Sequence, residues 1–187
     1  MAHILSYLAA ALPLDTSAGA RLLALQCALR VNAVLRVGLP AGLLRSLRID
    51  SVEACRELER ARWLSVVAGP GTAGVTLQLR DATLLTQDPA RPDRRRAADW
   101  ALRHGSLAQT RVTEPRLQLL SVCLAAHSDR GSGAGLREYE RIMHDCGMPE
   151  HDLSRALCAL ADSGVLKTWQ VCPDSGDLRW TLPPGQR

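Results

Sequence analysis

Two stretches of this 187-residue chain carry one pattern of apolar residues and turns. Residues 52–79 read VEACRELERARWLSVVAGPGTAGVTLQL, and residues 153–182 read LSRALCALADSGVLKTWQVCPDSGDLRWTL. Each opens as an amphipathic helix, passes into a short β-prone run, turns at Gly or Pro, and returns as a second β-prone run. In the first copy Leu64, Val66 and Val67 precede the turn Gly69-Pro70-Gly71, and Val75, Leu77 and Leu79 follow it. In the second, Val165, Leu166, Trp169 and Val171 precede Pro173-Asp174-Ser175-Gly176, and Leu178, Trp180 and Leu182 follow. Apolar residues alternating on both sides of a Gly-containing turn predict a β-hairpin.

The parallel extends upstream. Residues 21–33 and 116–127 are helical by periodicity, with stripes of Leu22, Leu25 and Leu29 in one and Leu117, Leu120 and Leu124 in the other. The second of these has Thr113 as its expected N-cap, with Pro115 just inside. A short helix follows in each half, over 41–47 and 136–146. The turn after it is Arg48-Ile49-Asp50 in one half, with Asp50 capping the next helix, and Gly147-Met148-Pro149 in the other.

The order helix, helix, helix, strand, strand in each half resembles the winged-helix form of the helix-turn-helix, as found in tandem in DNA-binding regulators. The resemblance covers residues 18–82 and 114–183. It implies an α+β, mostly helical fold of two tandem winged-helix domains, the third helix of each being a recognition helix and each hairpin a wing. The expected organisation is an N-terminal domain over 1–90 with an extra helix at 1–12, a linker and connecting helix over 91–112, and a C-terminal domain over 113–187. The stretch QDPARPDRRR beginning at Gln87 reads as linker, and residues 97–108, carrying Trp100, as a helix between the halves. The apolar face of residues 1–12 needs a partner, either a second copy of the chain or the first domain's core.

Composition narrows the function classes. The chain is 47% hydrophobic and 22% charged, and no apolar run approaches the length needed to span a bilayer. No basic region precedes the apolar N-terminus, so a signal peptide is not expected and the location read from the chain is cytoplasmic. With no Phe and only 3% aromatic residues, the core has to be built from Leu, Val, Ala and Cys. Arg outnumbers Lys 22 to 1, which reads as the codon usage of a GC-rich genome. Six cysteines stand at 27, 55, 123, 146, 158 and 172, without a CxxC pair. The nearest grouping of metal-ligand types is His144, Cys146 and His151, with Cys158 or Cys172, and it lacks the tight ligand pairs of structural zinc. Buried free thiols are expected instead, with no metal and no cofactor. Cys123 and His127 share a helix face, and the former is read as a core thiol.

The chain carries no phosphate loop, no GxSxG and no HExxH, and residues 69–74 belong to a hairpin. The Gly-rich run 130–135 reads as a flexible loop rather than a phosphate cradle. No catalytic residue is assigned, and the chain is not read as an enzyme.

Charge distribution points elsewhere. Residues 1–90 carry nine Arg against seven acids, residues 91–116 seven Arg against three, and residues 117–187 six Arg and Lys167 against nine. The basic surplus lies in the first half and the linker. Helix 51–62 buries Cys55 and Leu58 and turns Glu53, Arg56, Glu57 and Arg60 outward. Arg56 and Arg60 are the candidates for reading base edges, with Ser51 and Glu53 at the same end. Arg45 and Arg48 are placed for phosphates, and Arg91, Arg94, Arg95 and Arg96 for a backbone-tracking arm or a solvated linker. The second recognition helix and its wing, Asp174 to Asp177, are acidic and fit a protein partner better. The expected function is a DNA-binding transcriptional regulator acting on double-stranded DNA as a homodimer. The alternative is a tandem winged-helix scaffold that docks other proteins.

Overall fold

Helix α2 (Ala18–Arg30) starts where Ser17 caps it, its hydroxyl accepting from the Ala20 N–H at 3.2 Å. It is buried on nearly every side, from Ala20 to Leu29, which a helix tolerates only at the centre of a molecule. Its counterpart α6 (Pro115–Ala126) is buried in the same way from Gln118 to Leu124. The computed structural model describes residues 1–69, 71, 73–86, 91–105 and 114–183. Around the two central helices the remaining elements repeat. In the first half come β1 (Arg36–Pro40), α3 (Ala41–Leu47), α4 (Ser51–Arg60), β2 (Leu64–Ala68) and β3 (Gly74–Leu79). The second half has β4 (Ala134–Glu138), α7 (Tyr139–Cys146), α8 (Glu150–Asp162), β5 (Thr168–Val171) and β6 (Asp177–Thr181). Each half thus runs helix, strand, helix, helix, strand, strand. The fold is α+β, mostly helical, with two three-stranded antiparallel sheets in the orders β1-β3-β2 and β4-β6-β5.

Strands β1 and β4 are additions to the expected order, and they change one helix boundary. Leu136 does not open a helix. It lies mid-strand opposite Arg179, and α7 begins only at Tyr139. The repeat is close enough to be followed through backbone bonds. Leu79 N–H donates to Leu35 O at 2.8 Å in one half, as Leu182 N–H does to Gly133 O at 3.0 Å in the other. Backbone residues with positive φ fall in matching places: Leu35 and Gly133 before the first strand, Arg48 and Gly147 after the second helix, Arg62 and Gly164 after the third.

Helix α5 (Arg91–Gly105) begins inside the run expected to be a linker. Pro92 as the second residue of the helix and Asp93 in its first turn are favourable there, since neither costs an intrahelical bond and the acid meets the positive end of the dipole. Thr113, Arg111 and the C-terminal part of the expected 97–108 helix lie outside the described residues. The N-cap of α6 is Glu114, with Pro115 at the first position.

The two halves are not separate bodies joined by a tether. One continuous core runs from Ile4 to Leu182. Helix α5 packs on both α2 and α6, and α2 packs on α6. Gln26 donates to Ala98 O at 3.3 Å, and Arg30 pairs with Asp99 at 2.6 Å. Helix α1 (Ala2–Ala11) buries Ile4, Leu5, Leu8 and Ala9 against α2, α6 and α7, so its apolar stripe is filled within the chain and by both halves. Tyr7 ties it to the first half, donating to Asp81 Oδ2 at 2.5 Å and accepting from Trp63 Nε1 at 3.3 Å. Ser6 ties it to the second, through Arg137 at 3.3 Å. At the seam, Arg21 is buried and donates to the carbonyls of Thr16 and Pro13, and the backbone of Gly147 lies against its guanidinium. Among the described residues no helix is long and apolar enough to cross a membrane.

Candidate nucleic-acid interface

The exposed arginines of the first half are organised by the turn between α3 and α4. Asp50 caps α4, its carboxylate accepting from the N–H groups of Val52 and Glu53 at 3.0 and 3.1 Å. That cap fixes which face points inward. Ala54, Cys55 and Leu58 are buried against α2, and burial pushes the Cys55 thiol up to about 11. Full burial of one such leucine contributes about 1.5–3 kcal/mol, enough to hold the rotation of a ten-residue helix. Glu53, Arg56 and Arg60 are left on the surface.

Arg48 ends α3 in the left-handed conformation, with φ of 53° and ψ of 37°. Its side chain is exposed, as is that of Arg45 one turn earlier. A non-glycine residue in this region is disfavoured by contact between Cβ and the backbone. The second half solves the same turn with glycine: Gly147 stands there at φ 60°.

Of the expected outward acids, Glu57 is turned away. Its carboxylate accepts from both the N–H and the hydroxyl of Ser17, the latter at 2.6 Å, and so completes the N-terminus of α2. Glu59 is similarly occupied, accepting from the Val66 N–H at 2.9 Å. Glu53 alone faces the two arginines, at 3.0 Å from Arg60 and 3.6 Å from Arg56. All three side chains are at least half exposed, so these pairs are weak and water competes for them. Ser51 is the first residue of α4 and half-buried.

The Arg run on α5 is not a mobile arm over its described length. Arg94 is buried, donating to Leu84 O at 3.0 Å, and it heads a stripe continued by Ala98 and Ala101. Arg96 is exposed and paired with Asp93. Arg91 begins the helix, and its side chain lies outside what the structure describes. Arg95 is exposed and lines a cleft of about 420 Å³ together with Arg36 of β1 and the Arg30–Asp99 pair. The described lining of that cleft contains none of Arg45, Arg48, Arg56 or Arg60. Arg45, Arg48, Arg56 and Arg60, on α3, its turn and α4, thus lie apart from Arg36 and Arg95 between β1 and α5. Reading the sequence missed Arg36, because the strand that carries it was not expected, and Arg62, which holds the left-handed position after α4.

On the equivalent surface of the second half, the largely buried Asp152 of α8 lies within 4 Å of the more exposed Arg116, His151 and Arg155. The Gly-rich run 130–135 has no backbone donors to offer a phosphate at its centre. Asp129 Oδ1 already accepts from the N–H groups of Gly131 and Ser132, at 2.9 and 2.8 Å. The run is a tight turn into β4 rather than a flexible loop, and Gly135 lies flat under the indole of Trp180.

The structure does not bring His144, Cys146 and His151 together. Among the described residues, the grouping of metal-ligand types that does form is Cys123, His127 and Asp145. Comparison of the chain with protein-family models, curated proteins and solved structures finds no match.

Proposed function

We propose that the chain is a DNA-binding transcriptional regulator made of two winged-helix units fused through α1 and α5, with the first unit as the DNA-binding one. The observation that carries the reading is Arg48. An exposed arginine occupies a backbone conformation that disfavours it, at the head of the helix expected to enter the major groove, where the other unit has glycine. Strain kept at an exposed position is a mark of a functional side chain. Arg45 flanks it, and Arg56 and Arg60 are free to exchange an exposed partner, Glu53, for phosphate or base edges. The withdrawal of Glu57 to Ser17 removes a repulsive charge from the same surface. The helix at the N-terminus spends its apolar face inside the chain, so a homodimer would be built through another surface.

The test is fluorescence anisotropy of the full chain with mixed genomic DNA fragments over ~50 to ~200 mM salt, the range in which phosphate contacts are displaced. Binding that falls steeply with salt is expected, and Arg56→Ala with Arg60→Ala is expected to cost about 2–6 kcal/mol of preference for the best site. Absence of binding at ~50 mM salt overturns the reading. The second reading, a protein-docking scaffold, is favoured by exposed Val52 on α4 and Val67 on β2, both on the unit assigned to DNA. Retention of a protein partner together with absence of DNA binding would establish it.

A further inference from the structure

Three side chains of different chemistry converge where the second half meets α1. Cys123 projects from α6 and His127 from the C-cap of that helix, four residues on, and Asp145 projects from the end of α7. One donor atom from each lies within 4.8 Å of the other two. Cys123 is fully buried, the Asp145 side chain is 1% exposed, and that of His127 is 10% exposed. Cys146, also buried, does not join this group.

Asp145 is the residue the fold explains least. Arg137 stands 2.8 Å from its Oδ2, but neither carboxylate oxygen has a partner in hydrogen-bonding geometry. Buried carboxylates are normally hydrogen-bonded on both oxygens, and one left this way costs several kcal/mol. Arg137 does not complete the arrangement, because its Nε is also without a partner and one of its terminal nitrogens lies against the His127 ring.

We propose that Cys123, His127 and Asp145 bind one zinc ion, which closes the joint between α6 and α7. The donor set is a thiolate, an imidazole and a carboxylate, ligand types zinc takes, and a water fills the fourth position. At zinc–ligand distances of about 2.0–2.3 Å, tetrahedral donors stand about 3.3–3.8 Å apart. The three donors therefore have to close by at most about 1.5 Å, within reach of rotations about χ1 and χ2. The charges balance: on binding, the Cys123 thiol releases its proton to water. The Cys123 thiolate and the Asp145 carboxylate together match the two positive charges of Zn²⁺. In this arrangement Arg137 keeps its place against Asp145 as an outer partner that orients the ligand. The edge carrying His127 and Arg137 is the least buried side of the site and supplies the entry path.

The inference does not depend on DNA binding, and it is tested on the untagged full chain. Zinc content is measured after gel filtration, and metal-free protein is titrated with Co²⁺ while the thiolate-to-cobalt charge-transfer band is followed. One zinc per chain and a charge-transfer band are expected. Cys123→Ser and Asp145→Asn are expected to weaken cobalt binding at least tenfold, and Cys158→Ser, at an exposed cysteine, to leave it unchanged. X-ray absorption of the zinc-loaded native chain needs no variant: sulfur at about 2.3 Å with nitrogen or oxygen at about 2.0–2.1 Å is expected. Substoichiometric zinc, a shell of nitrogen and oxygen alone, or a charge-transfer band that persists in Cys123→Ser would each overturn the proposal.

Discussion

Arg48→Gly separates contact with DNA from contribution to the fold, because its two effects run in opposite directions. Arg48 sits at φ 53° with its side chain in water. A left-handed conformation costs a non-glycine residue about 1–2 kcal/mol. Glycine returns part of that gain by loosening the unfolded chain, by about 0.4–1 kcal/mol. The balance leaves the variant more stable by about 0.5–1 kcal/mol. For a chain of this size that is a rise in Tm of about 1–4 °C, within reach of calorimetry. The equivalent turn in the second half, with Gly147 in the same conformation, shows that the backbone accepts the exchange. On DNA the same substitution removes one phosphate neutralisation and flattens the salt dependence by about 0.9 in log–log slope. The loss of affinity is then about 3.5-fold larger at ~50 mM salt than at ~200 mM. Melting curves and anisotropy titrations on one preparation read both effects. A stabler protein with an unchanged salt slope refutes the role given to Arg48 in binding. A less stable protein refutes the strain argument from which that role was inferred.

Three further substitutions test the packing. Gly147→Ala is expected to destabilise by about 2–4 kcal/mol in denaturant melts, since its Cβ would stand 2.4 Å from Arg21 Nε at a backbone φ of 60°; a loss under about 1 kcal/mol would mean that the seam is loose. At Gly135 a Cβ would meet the Trp180 ring at 2.1 Å, so Gly135→Ala is expected to move the indole off Ser128, which it now reaches at 2.8 Å. Near-UV circular dichroism reads that displacement, and an unchanged tryptophan band would contradict it. Tyr7→Phe tests the α1 anchor through pH. Burial and the Asp81 bond raise the Tyr7 phenol, so its contribution is full below the ordinary phenol value of about 10 and is lost as pH rises beyond it. Burial alone raises the Asp81 carboxyl, but the bonds from Tyr7 and Thr83 outweigh it and hold the group below its usual range. Its contribution is therefore present above about pH 4 and lost as pH falls through the depressed value. Tyr7→Phe should lower Tm at neutral pH and flatten both limbs of the Tm–pH curve; a difference that is constant across pH would show that the anchor is packing alone.

The helices and hairpins were legible because each combines an apolar stripe with a capping or turn signal, as Asp50 and the stripe of Cys55 and Leu58 do for α4. The first strand of each half was not. Segment RVGLP offers only Val37 and Leu39 as alternating apolar residues and ends in proline, and AGLRE places its one large apolar residue, Leu136, on the exposed face. Neither has the propensity to be a strand alone, and both exist because β3 and β6 present open edges to pair with. Helix α5 was misjudged from its charge. Pro92, Asp93 and three arginines read as linker, yet Arg94, Ala98 and Ala101 are spaced for one buried face, with the guanidinium of Arg94 paired to a backbone carbonyl. The grouping of Cys123 and His127 was legible on one helix, but Asp145 joins them only through the packing of α7 on α6.

The matched left-handed positions carry an argument that composition does not. At three equivalent sites the second half has glycine, and the first half has Leu35, Arg48 and Arg62. Glycine meets the conformational demand at each site, so the first half forgoes about 0.5–1 kcal/mol per position for the side chain it carries. Leu35 is half-buried and packs against the core, which returns that cost through burial. Arg48 and Arg62 are exposed and return nothing to the fold. If drift alone had placed residues there, the exposed positions would be the easiest to fill with glycine or asparagine. That the two unrepaid positions are both arginine, in the half whose α4 carries Arg56 and Arg60, is the reason for proposing the first unit rather than the second as the one that binds DNA. It follows that exchanging both arginines for glycine should give a stabler chain with a weaker and less salt-dependent hold on DNA. Should Arg62→Gly alone leave the salt dependence intact, the interface ends at α4 and does not continue past its C-terminus.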